Sequence, residues 1–397
     1  IVDATGLFRQ RQEADENIGT SQKCIQGPGV MGFDTGDLLR PFAHGNEWES
    51  ATWKNIRWLQ ALVAPHLERL GVDHRSLTWD PQLHPTRSTY FDTPALYDRL
   101  GLELGMASWT TLASLKSAPE ALIDQLAPTV KDAIVIGYEM PDVMLDALTD
   151  LGVPYIDVVL HAVRFMPDLI FAMRTNHPEL HGSLSFNTVQ EADILSRAAD
   201  IKAKAAWMPA PVDAAPGSLV IFGQVHGDRS LVATNGGGFC SLESHLQELV
   251  ELCHAHAHAY FKPHPYDVHE SPSVRAIRHI GSVEFTSANA YHLMAQDNIR
   301  TIAALNSSCL FEARYFNKET VRFKPCLYDF DAHHGPRGGV PGALLSQTPS
   351  WLDAAFWGEL LSLEAVPSLA VAQWMPDRLR RSMNADWGYG QIGKVVA

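Results

Sequence analysis

Three segments in the second half of the chain place polar side chains directly after short apolar runs that read as strands. They are residues 221–230, 260–265 and 306–313. The third also opens an apolar pattern typical of a helix. In open α/β folds, ligands bind at the sheet edge where strands end. Three such segments in order therefore predict a site for a nucleotide-linked transfer reaction.

Asn306, Ser307 and Ser308 stand just before the predicted helix 310–315. Backbone N–H groups at a helix start, with a cationic or hydrogen-bonding side chain, can hold the phosphate of a leaving nucleotide. Asn and Ser are also good helix N-caps, so a simple cap explains the same residues. Glu312, one turn into the helix, could accept hydrogen bonds from a ribose diol or complement the helix dipole.

Lys262 and His264 alternate with prolines in a stiff turn. A proline biases the residue before it toward extended geometry, so both side chains would face the sheet edge as phosphate or carboxylate ligands. A His-Pro pair is also common in ordinary turns. The functional interpretation therefore depends on the position of this turn after a strand.

Gln224 and Asp228 lie just beyond the first strand of the second half, and Ser230 follows them. A carboxylate near the anomeric carbon of a bound sugar could act as nucleophile or base. The glycines at 236–238 would allow close backbone approach to a ligand, although a flexible loop explains them too. In the first half, Glu139 follows another strand and could be a general acid or base, or an exposed residue before a helix.

The spacing of apolar residues predicts alternating strands and helices, which is typical of parallel α/β sheets. Strands are predicted at 132–138, 154–159, 218–222, 258–262, 283–285 and 301–305, and helices at 47–70, 90–126 with a break at Pro119, 141–151, 241–253 and from 292.

Residues 207–217 contain three prolines and a glycine, which suits a connection between domains. We expect an acceptor-side domain over 1–210, a donor-binding domain over 211–360 and a helical segment over 361–397. Two α/β domains joined by a hinge suggest a cleft between them.

Composition excludes several classes of protein. The net charge of −14 makes a nucleic-acid partner unfavourable, because backbone phosphates need a basic face. The five cysteines are scattered with no Cys-x-x-Cys, which argues for a reducing compartment and against a disulfide framework or structural zinc. No apolar run reaches the roughly 18 residues of a membrane span. The chain begins at Ile1 rather than at a methionine, so a preceding targeting segment stays open.

Two segments imitate metal sites. Alternate histidines at 254–258 would share a face only on a strand, yet they straddle a predicted helix end. Asp329 and Asp331, with His333 and His334, echo an Asp-x-Asp metal motif but have no following element to orient them. We expect no metal and no cofactor.

The motifs at 223–230, 262–265 and 307–308 with Glu312 resemble those of the retaining β-Kdo glycosyltransferases, which build capsule linkers and some O-antigens in Gram-negative bacteria. Residues 136–139 and 161–169 also resemble that family. Arg229 is a departure, since an alanine is expected there.

The resemblance implies a GT-B-like pair of Rossmann-type domains and CMP-β-Kdo as the donor. It implies that Asp228 is the nucleophile of a covalent intermediate, that Glu139 is the acid or base, and that a helix around 376–383 packs back on the first domain. The acceptor would be an oligosaccharide or lipid-linked saccharide, and the protein would work in the cytoplasm or at the inner membrane beside other assembly enzymes. The implied donor ligands are Gln224, Ser230, Lys262, His264, Asn306, Ser307, Ser308 and Glu312, with Arg164 and Arg229 as further substrate-binding residues.

Two alternatives remain. Residues 262–265 and 307–308 also resemble those of the CDP-polyol phosphotransferases of the teichoic-acid type, and that resemblance implies His264 as catalytic base and no nucleophilic role for Asp228. A non-catalytic scaffold could bind polysaccharide through a degenerate site, although the presence of both Asp228 and Glu139 argues against it.

Overall fold

A computed structural model describes residues 2–3, 28–40, 47–78, 88–267, 271–330, 342–362 and 375–387. The chain forms two compact units, and each is built from discontinuous segments. The first unit comprises residues 1–160, 171–188 and 330–374, and the second comprises 161–170, 189–329 and 375–397.

The first unit contains an eight-stranded sheet in the order β13-β7-β6-β5-β2-β3-β4, with β1 paired to β2. Its strands are β1 (Val2–Asp3), β2 (Pro28–Thr35), β3 (His74–Thr78), β4 (Ser88–Tyr90), β5 (Ala133–Tyr138), β6 (Tyr155–Leu160), β7 (Phe171–Arg174) and β13 (Leu345–Gln347).

The five strands from β4 to β6 across this sheet are parallel. Numbered from β2, their spatial order is 3-2-1-4-5, the strand order of a Rossmann-type sheet. The chain reverses its direction of winding between β2 and β5, where Thr35 pairs with Tyr138. In such sheets a ligand crevice forms beyond the carboxyl ends of the two strands at this reversal.

Seven helices in the described part of the first unit accompany the sheet, and aromatic rings fill its core. Trp58 contacts Phe171 and Tyr138, with ring centroids 5.2 and 5.9 Å away, and Phe171 also contacts Trp351. The helices are α1 (Glu47–Arg69), α2 (Thr93–Arg99), α3 (Met106–Ser114), α4 (Glu120–Val130), α5 (Asp142–Asp150), α6 (Pro178–Ser185) and α12 (Ala354–Leu360).

The second unit has a fully parallel sheet in the order β10-β9-β8-β11-β12, which is again 3-2-1-4-5 when numbered from its first strand. Its reversal lies between β8 and β11. Apolar residues dominate β8, which is buried along its whole length, as expected for a strand covered on both faces. The strands are β8 (Ser218–Phe222), β9 (Ala259–Lys262), β10 (Val283–Phe285), β11 (Ile299–Ala304) and β12 (Glu319–Arg322).

Six helices are described in the second unit. On one side of the sheet, Leu219, Ile221 and Phe261 pack with Leu249 and Ile277 into an apolar core. The helices are α7 (Glu191–Ala205), α8 (Leu246–His254), α9 (Pro272–Ile280), α10 (Ala290–Ala295), α11 (Ser308–Ala313) and α13 (Arg378–Trp387).

The boundaries of the units differ from the predicted domain boundaries at three places. Residues 161–170 belong to the second unit although β6 and β7 on either side belong to the first. Helix α7, which precedes the proline-rich segment, packs against α10 in the second unit. Residues 330–374 belong to the first unit, where β13 pairs with β7, whereas α13 belongs to the second.

The predicted fold class, α/β with two Rossmann-type domains as a GT-B-like fold requires, is confirmed. Strands β8 and β10 have the predicted bounds. The helix predicted over 90–126 with a break at Pro119 is interrupted there, since α4 begins at Glu120 with Pro119 as its N-cap. The part before the break is the end of β4 followed by two short helices, α2 and α3, and Gly101 adopts a left-handed φ of +65° after α2. No helix in the described ranges has the length and apolarity needed to cross a membrane.

Candidate active site

A reciprocal pair of hydrogen bonds joins the two strand ends at the reversal of the second sheet. Gln224 follows β8 and donates through Nε2 to Oδ1 of Asn306 at 2.9 Å, while the backbone N–H of Asn306 donates to Oε1 of Gln224, also at 2.9 Å. Asn306 follows β11 and is buried. Both residues predicted as donor ligands therefore hold the two strand ends together where a Rossmann-type sheet binds its ligand.

Two hydrogen bonds hold the loop that carries Asp228, one within the loop and one from Asn306. Asn306 donates through Nδ2 to the carbonyl of Ser230 at 2.7 Å, and Ser230 N–H donates to Oδ1 of Asp228 at 2.8 Å. Gly227, with a φ of +90°, supplies the turn before Asp228. The Asp228 side chain is exposed, so a carboxylate held in a fixed turn is available to a ligand.

Gly223 lets the turn at Lys262–His264 approach the end of β8 closely. A Cβ added at Gly223 would lie 3.1 Å from the backbone N of His264 and 3.2 Å from Cα of Pro263. The N–H of Gly223 donates to the carbonyl of Lys262 at 2.9 Å. The motif glycine therefore permits a close backbone contact that brings the Asp228 loop and the Lys-Pro-His-Pro turn together.

The hydrogen bond from the backbone fixes which ring nitrogen of His264 carries the proton. Tyr266 N–H donates to Nδ1 of His264 at 3.1 Å, so Nδ1 is an acceptor and the neutral ring carries its proton on Nε2. Burial lowers the pKa of His264 to about 4, opposed by the nearby Asp228 carboxylate and supported by Arg164 and Lys262. At neutral pH, His264 is therefore an uncharged residue that offers an Nε2–H donor.

Two cations lie close enough to affect the pKa of His264. They are Lys262, whose own pKa burial lowers, and Arg164. The sequence grouped Arg164 with the first half of the chain, but the structure places it in the second unit because residues 161–170 belong there. Asp228, Arg164 and Lys262 thus all lie within electrostatic range of His264, and we call these four residues the anion cluster.

Both peptide groups of Arg164 are held by other segments of the second unit. Its N–H donates to Oε1 of Glu312 at 2.7 Å, and its carbonyl accepts from Nη2 of Arg380 at 2.7 Å. Asp168 in turn caps α13 by accepting from the N–H groups of Leu379 and Arg380. Helix α13, expected to pack back on the first domain, contacts Arg164 and Asp168, which the sequence placed in that domain and which the structure groups with the second unit.

Glu312 is 1% exposed and joins α11 to this framework. Its Oε1 also accepts from the hydroxyl of Tyr291 at 3.0 Å. Burial raises the pKa of Glu312 to about 7. The structure therefore gives Glu312 a buried supporting role, and its predicted contact with a ribose diol stays a prediction. Tyr291 and Arg380 were missed, because no motif in the sequence marks either residue.

Ser307 is the N-cap of α11, and its hydroxyl accepts from the N–H of Cys309 at 3.3 Å, while Ser308 is the first helical residue. The helix has six residues, so fewer peptide dipoles align than in a longer helix. A phosphate near these serines would depend more on the cations and hydroxyls than on the helix. Burial raises the pKa of the adjacent Cys309 to about 12, which keeps its thiol protonated.

Arg229, where the resemblance in sequence predicts an alanine, donates through Nη2 to the hydroxyl of Tyr328 at 2.5 Å and lies over the Tyr328 ring. This contact ties the Asp228 loop to the segment after β12. The predicted role of Arg229 in substrate binding stays a prediction.

Glu139 lies at the reversal of the first sheet, directly after β5. Its φ of +51° is in the left-handed region, which is unfavourable for a residue with a side chain. Its N–H donates to the carbonyl of Val158 at 2.9 Å. A strained backbone at a sheet edge is typical of functional positions. It therefore supports Glu139 as a candidate functional residue but does not assign its role.

We expect Glu139→Gly to be at least as stable as the wild type, because glycine adopts a positive φ without a steric penalty. Glu139→Ala loses the same side chain but keeps the strain, so it should be less stable than Glu139→Gly by about 1 kcal/mol. Urea denaturation of the three proteins measures this. Equal stability of the glycine and alanine variants would show that the left-handed backbone carries no strain.

Within the described ranges, no group of three or more His, Cys, Asp or Glu residues is placed to hold a metal ion. In the 254–258 segment, His256 is engaged by the carbonyl of Leu252 and the hydroxyl of Thr301, both at 2.8 Å. Asp331, His333 and His334 lie outside the described residues. Metal independence therefore stays a prediction.

No protein-family model and no curated protein sequence matches the chain. Among solved structures, it is similar to the β-Kdo 2,7 transferase of Thermosulfurimonas dismutans KpsC, with 12% identity, a TM-score of 0.38, and coverage of 92% of this chain and 100% of that one. It is also similar to the β-Kdo 2,4 transferase of the same KpsC, with 14% identity, a TM-score of 0.37, and coverage of 84% of this chain and 89% of that one. For the Escherichia coli heptosyltransferase WaaC, the identity is 10% and the TM-score 0.24, with coverage of 78% of this chain and 91% of that one. Similarities of this size carry no conclusion about activity, which must come from the residues of the site.

Proposed function

We propose that this protein is a glycosyltransferase that takes Kdo from CMP-β-Kdo and passes it to a saccharide acceptor with retention of configuration. The observation that carries the proposal is the anion cluster. An exposed carboxylate, Asp228, shares it with two cations and a neutral histidine donor, at the reversal of a Rossmann-type sheet.

The donor suits this cluster because it carries two anionic groups near its reacting carbon. One is the phosphate of cytidylate, and the other is the carboxylate on the anomeric carbon of Kdo. Arg164 and Lys262 offer one cation for each, and the Nε2–H of neutral His264 adds a hydrogen bond. We propose that the two serines at the start of α11 complete the phosphate contacts.

Retention follows from two successive inversions at the anomeric carbon. In the first, an oxygen of Asp228 bonds to that carbon while its bond to the cytidylate oxygen breaks, and CMP departs as an anion stabilised by the cations. In the second, an acceptor hydroxyl displaces Asp228 and loses its proton to a base. We propose that Glu139 of the first unit is that base.

The tautomer of His264 weighs against the alternative CDP-polyol phosphotransferase. A histidine that removes a proton from a hydroxyl needs an available unprotonated nitrogen. In His264, Nδ1 already accepts from Tyr266 N–H and Nε2 carries the proton. Its pKa of about 4 also makes it a weak base. A donor role for His264 agrees with both observations.

The test is incubation of the protein with CMP-β-Kdo or with CDP-glycerol, without acceptor, followed by acid quenching and intact-protein mass spectrometry. We expect a mass gain of one Kdo residue with the first donor and none with the second. Release of CMP with no added mass would refute the covalent intermediate while keeping the donor. Turnover of CDP-glycerol alone would establish the alternative, and binding without turnover of either would favour the scaffold.

We further propose that transfer needs no metal, because the cluster supplies enough positive charge for one phosphate. Activity with CMP-β-Kdo should change less than 2-fold, about the scatter of a rate measurement, in excess EDTA. Loss in EDTA that a divalent ion restores would contradict this and would direct attention to Asp329 and Asp331. We also propose that the acceptor is a free or lipid-linked oligosaccharide and that the protein works in the cytoplasm or at the inner face of the membrane.

A further inference from the structure

Asp157 is an acidic residue in the middle of a buried apolar strand. It belongs to β6, whose six residues are all buried, and Asp157 itself is 0% exposed. Removing a carboxylate from water is costly unless a cation and hydrogen bonds compensate for the lost hydration. Its partners therefore indicate what the carboxylate does.

Those partners are one cation and the peptide that follows Glu139. Oδ1 of Asp157 accepts from the N–H of Met140 at 2.8 Å, and Oδ2 accepts from Nε of Arg174 on β7 at 2.8 Å. Arg174 also reaches back with Nη2 to the carbonyl of Met140 at 3.4 Å. The ion pair thus contacts both backbone polar groups of Met140.

The side chain of Met140 fixes the same turn from the other direction. It is fully buried and lies over Gly137, where an added Cβ would be 2.4 Å from its Sδ. Glu139, with its φ of +51°, lies between Met140, whose backbone the ion pair contacts, and Gly137, against which the Met140 side chain packs. Several independent contacts therefore hold one unfavourable backbone conformation, which is the condition for strain to persist.

We propose that Asp157 and Arg174 are positioning residues that hold Glu139 in its left-handed conformation and so aim its carboxylate for proton transfer. The aim of the carboxylate matters because a base must lie within hydrogen-bond reach of the proton it removes. The catalytic part rests on the proposed function of Glu139, whereas the conformational part does not.

The experiment uses Asp157→Asn, which keeps the shape but removes the charge, and Arg174→Lys, which keeps the charge but removes the Nε–H. We expect kcat with CMP-β-Kdo to fall about 10- to 100-fold, less than the roughly 10²- to 10⁴-fold that a general base contributes, because the base is misaligned rather than removed. KM for the donor and the Kd for CMP should stay within 2-fold, about the scatter of such measurements. The control is Leu148→Ala, a buried position on α5 that should lower the melting temperature without changing kcat.

A double-mutant cycle separates positioning from general loss of structure. In a Glu139→Gln background, Asp157→Asn should cause no further loss of kcat, because the group it positions is already gone. An equal further loss in that background, or unchanged kcat in both single variants, would overturn the proposal.

A crystal structure of each variant tests the conformational part without any activity. We expect the φ of Glu139 to leave the left-handed region in at least one of them. If it stays near +51° in both, the positioning proposal is wrong whatever the enzyme transfers. If φ changes but the wild type does not use CMP-β-Kdo, the proposed function fails and the positioning stands.

Discussion

Asp228→Asn should fold like the wild type and lose transfer activity by a factor on the order of 10³ or more, as expected for a nucleophile. The amide keeps an oxygen that can accept from Ser230 N–H, so the turn that holds residue 228 is preserved. An amide cannot form the ester with the anomeric carbon, so both turnover and the mass gain of one Kdo residue should disappear. Turnover assays, intact-protein mass and thermal melting measure the three expectations.

The matched control for this substitution is Asp297→Asn. Asp297 is an exposed carboxylate of the same unit, located before β11 and so at the opposite end of that strand from Asn306. It should keep wild-type turnover. Near wild-type activity of Asp228→Asn would show that the nucleophile lies elsewhere.

The second large effect concerns CMP affinity, which should depend on the second unit alone. Lys262→Met, His264→Ala and Ser307→Ala remove groups proposed to contact the phosphate. A hydrogen bond to a charged group contributes about 1.5–3 kcal/mol, so the lysine variant should weaken CMP binding about 10- to 100-fold and the other two somewhat less. Glu139→Gln should leave CMP affinity within a few-fold and reduce transfer. Calorimetry with CMP measures all four.

Lys204→Ala is the control for a lost charge, since Lys204 is an exposed cation on α7 of the same unit. Its CMP affinity should match that of the wild type. The structure groups Arg164 with the proposed donor residues in the second unit. If Glu139→Gln abolished CMP binding while the second-unit variants bound normally, the roles of the two units would be reversed.

The sequence alone determined the class of fold and the strand ends that carry the candidate residues. A parallel strand that is buried on both faces needs a short run of apolar residues, and this local pattern correctly predicted β5, β6, β8 and β9. The pattern did not predict β2, whose sequence includes a proline and two glycines. This segment forms a strand through its pairing with β3 and β5.

Only the tertiary structure decided which of those residues work together. The bond between Gln224 and Asn306 depends on strand order, which sets β8 beside β11 although β9 and β10 come between them in the chain. Arg164 was grouped with the first half of the chain, whereas the structure groups it with the second unit, because its ten-residue segment leaves the first unit between β6 and β7. The sequence did not mark Asp157 as a functional residue, because a single carboxylate in a strand resembles an exposed position until its neighbours in the fold are known. Strand order, the path of the chain and burial arise from contacts between distant residues, so local patterns in the sequence do not contain them.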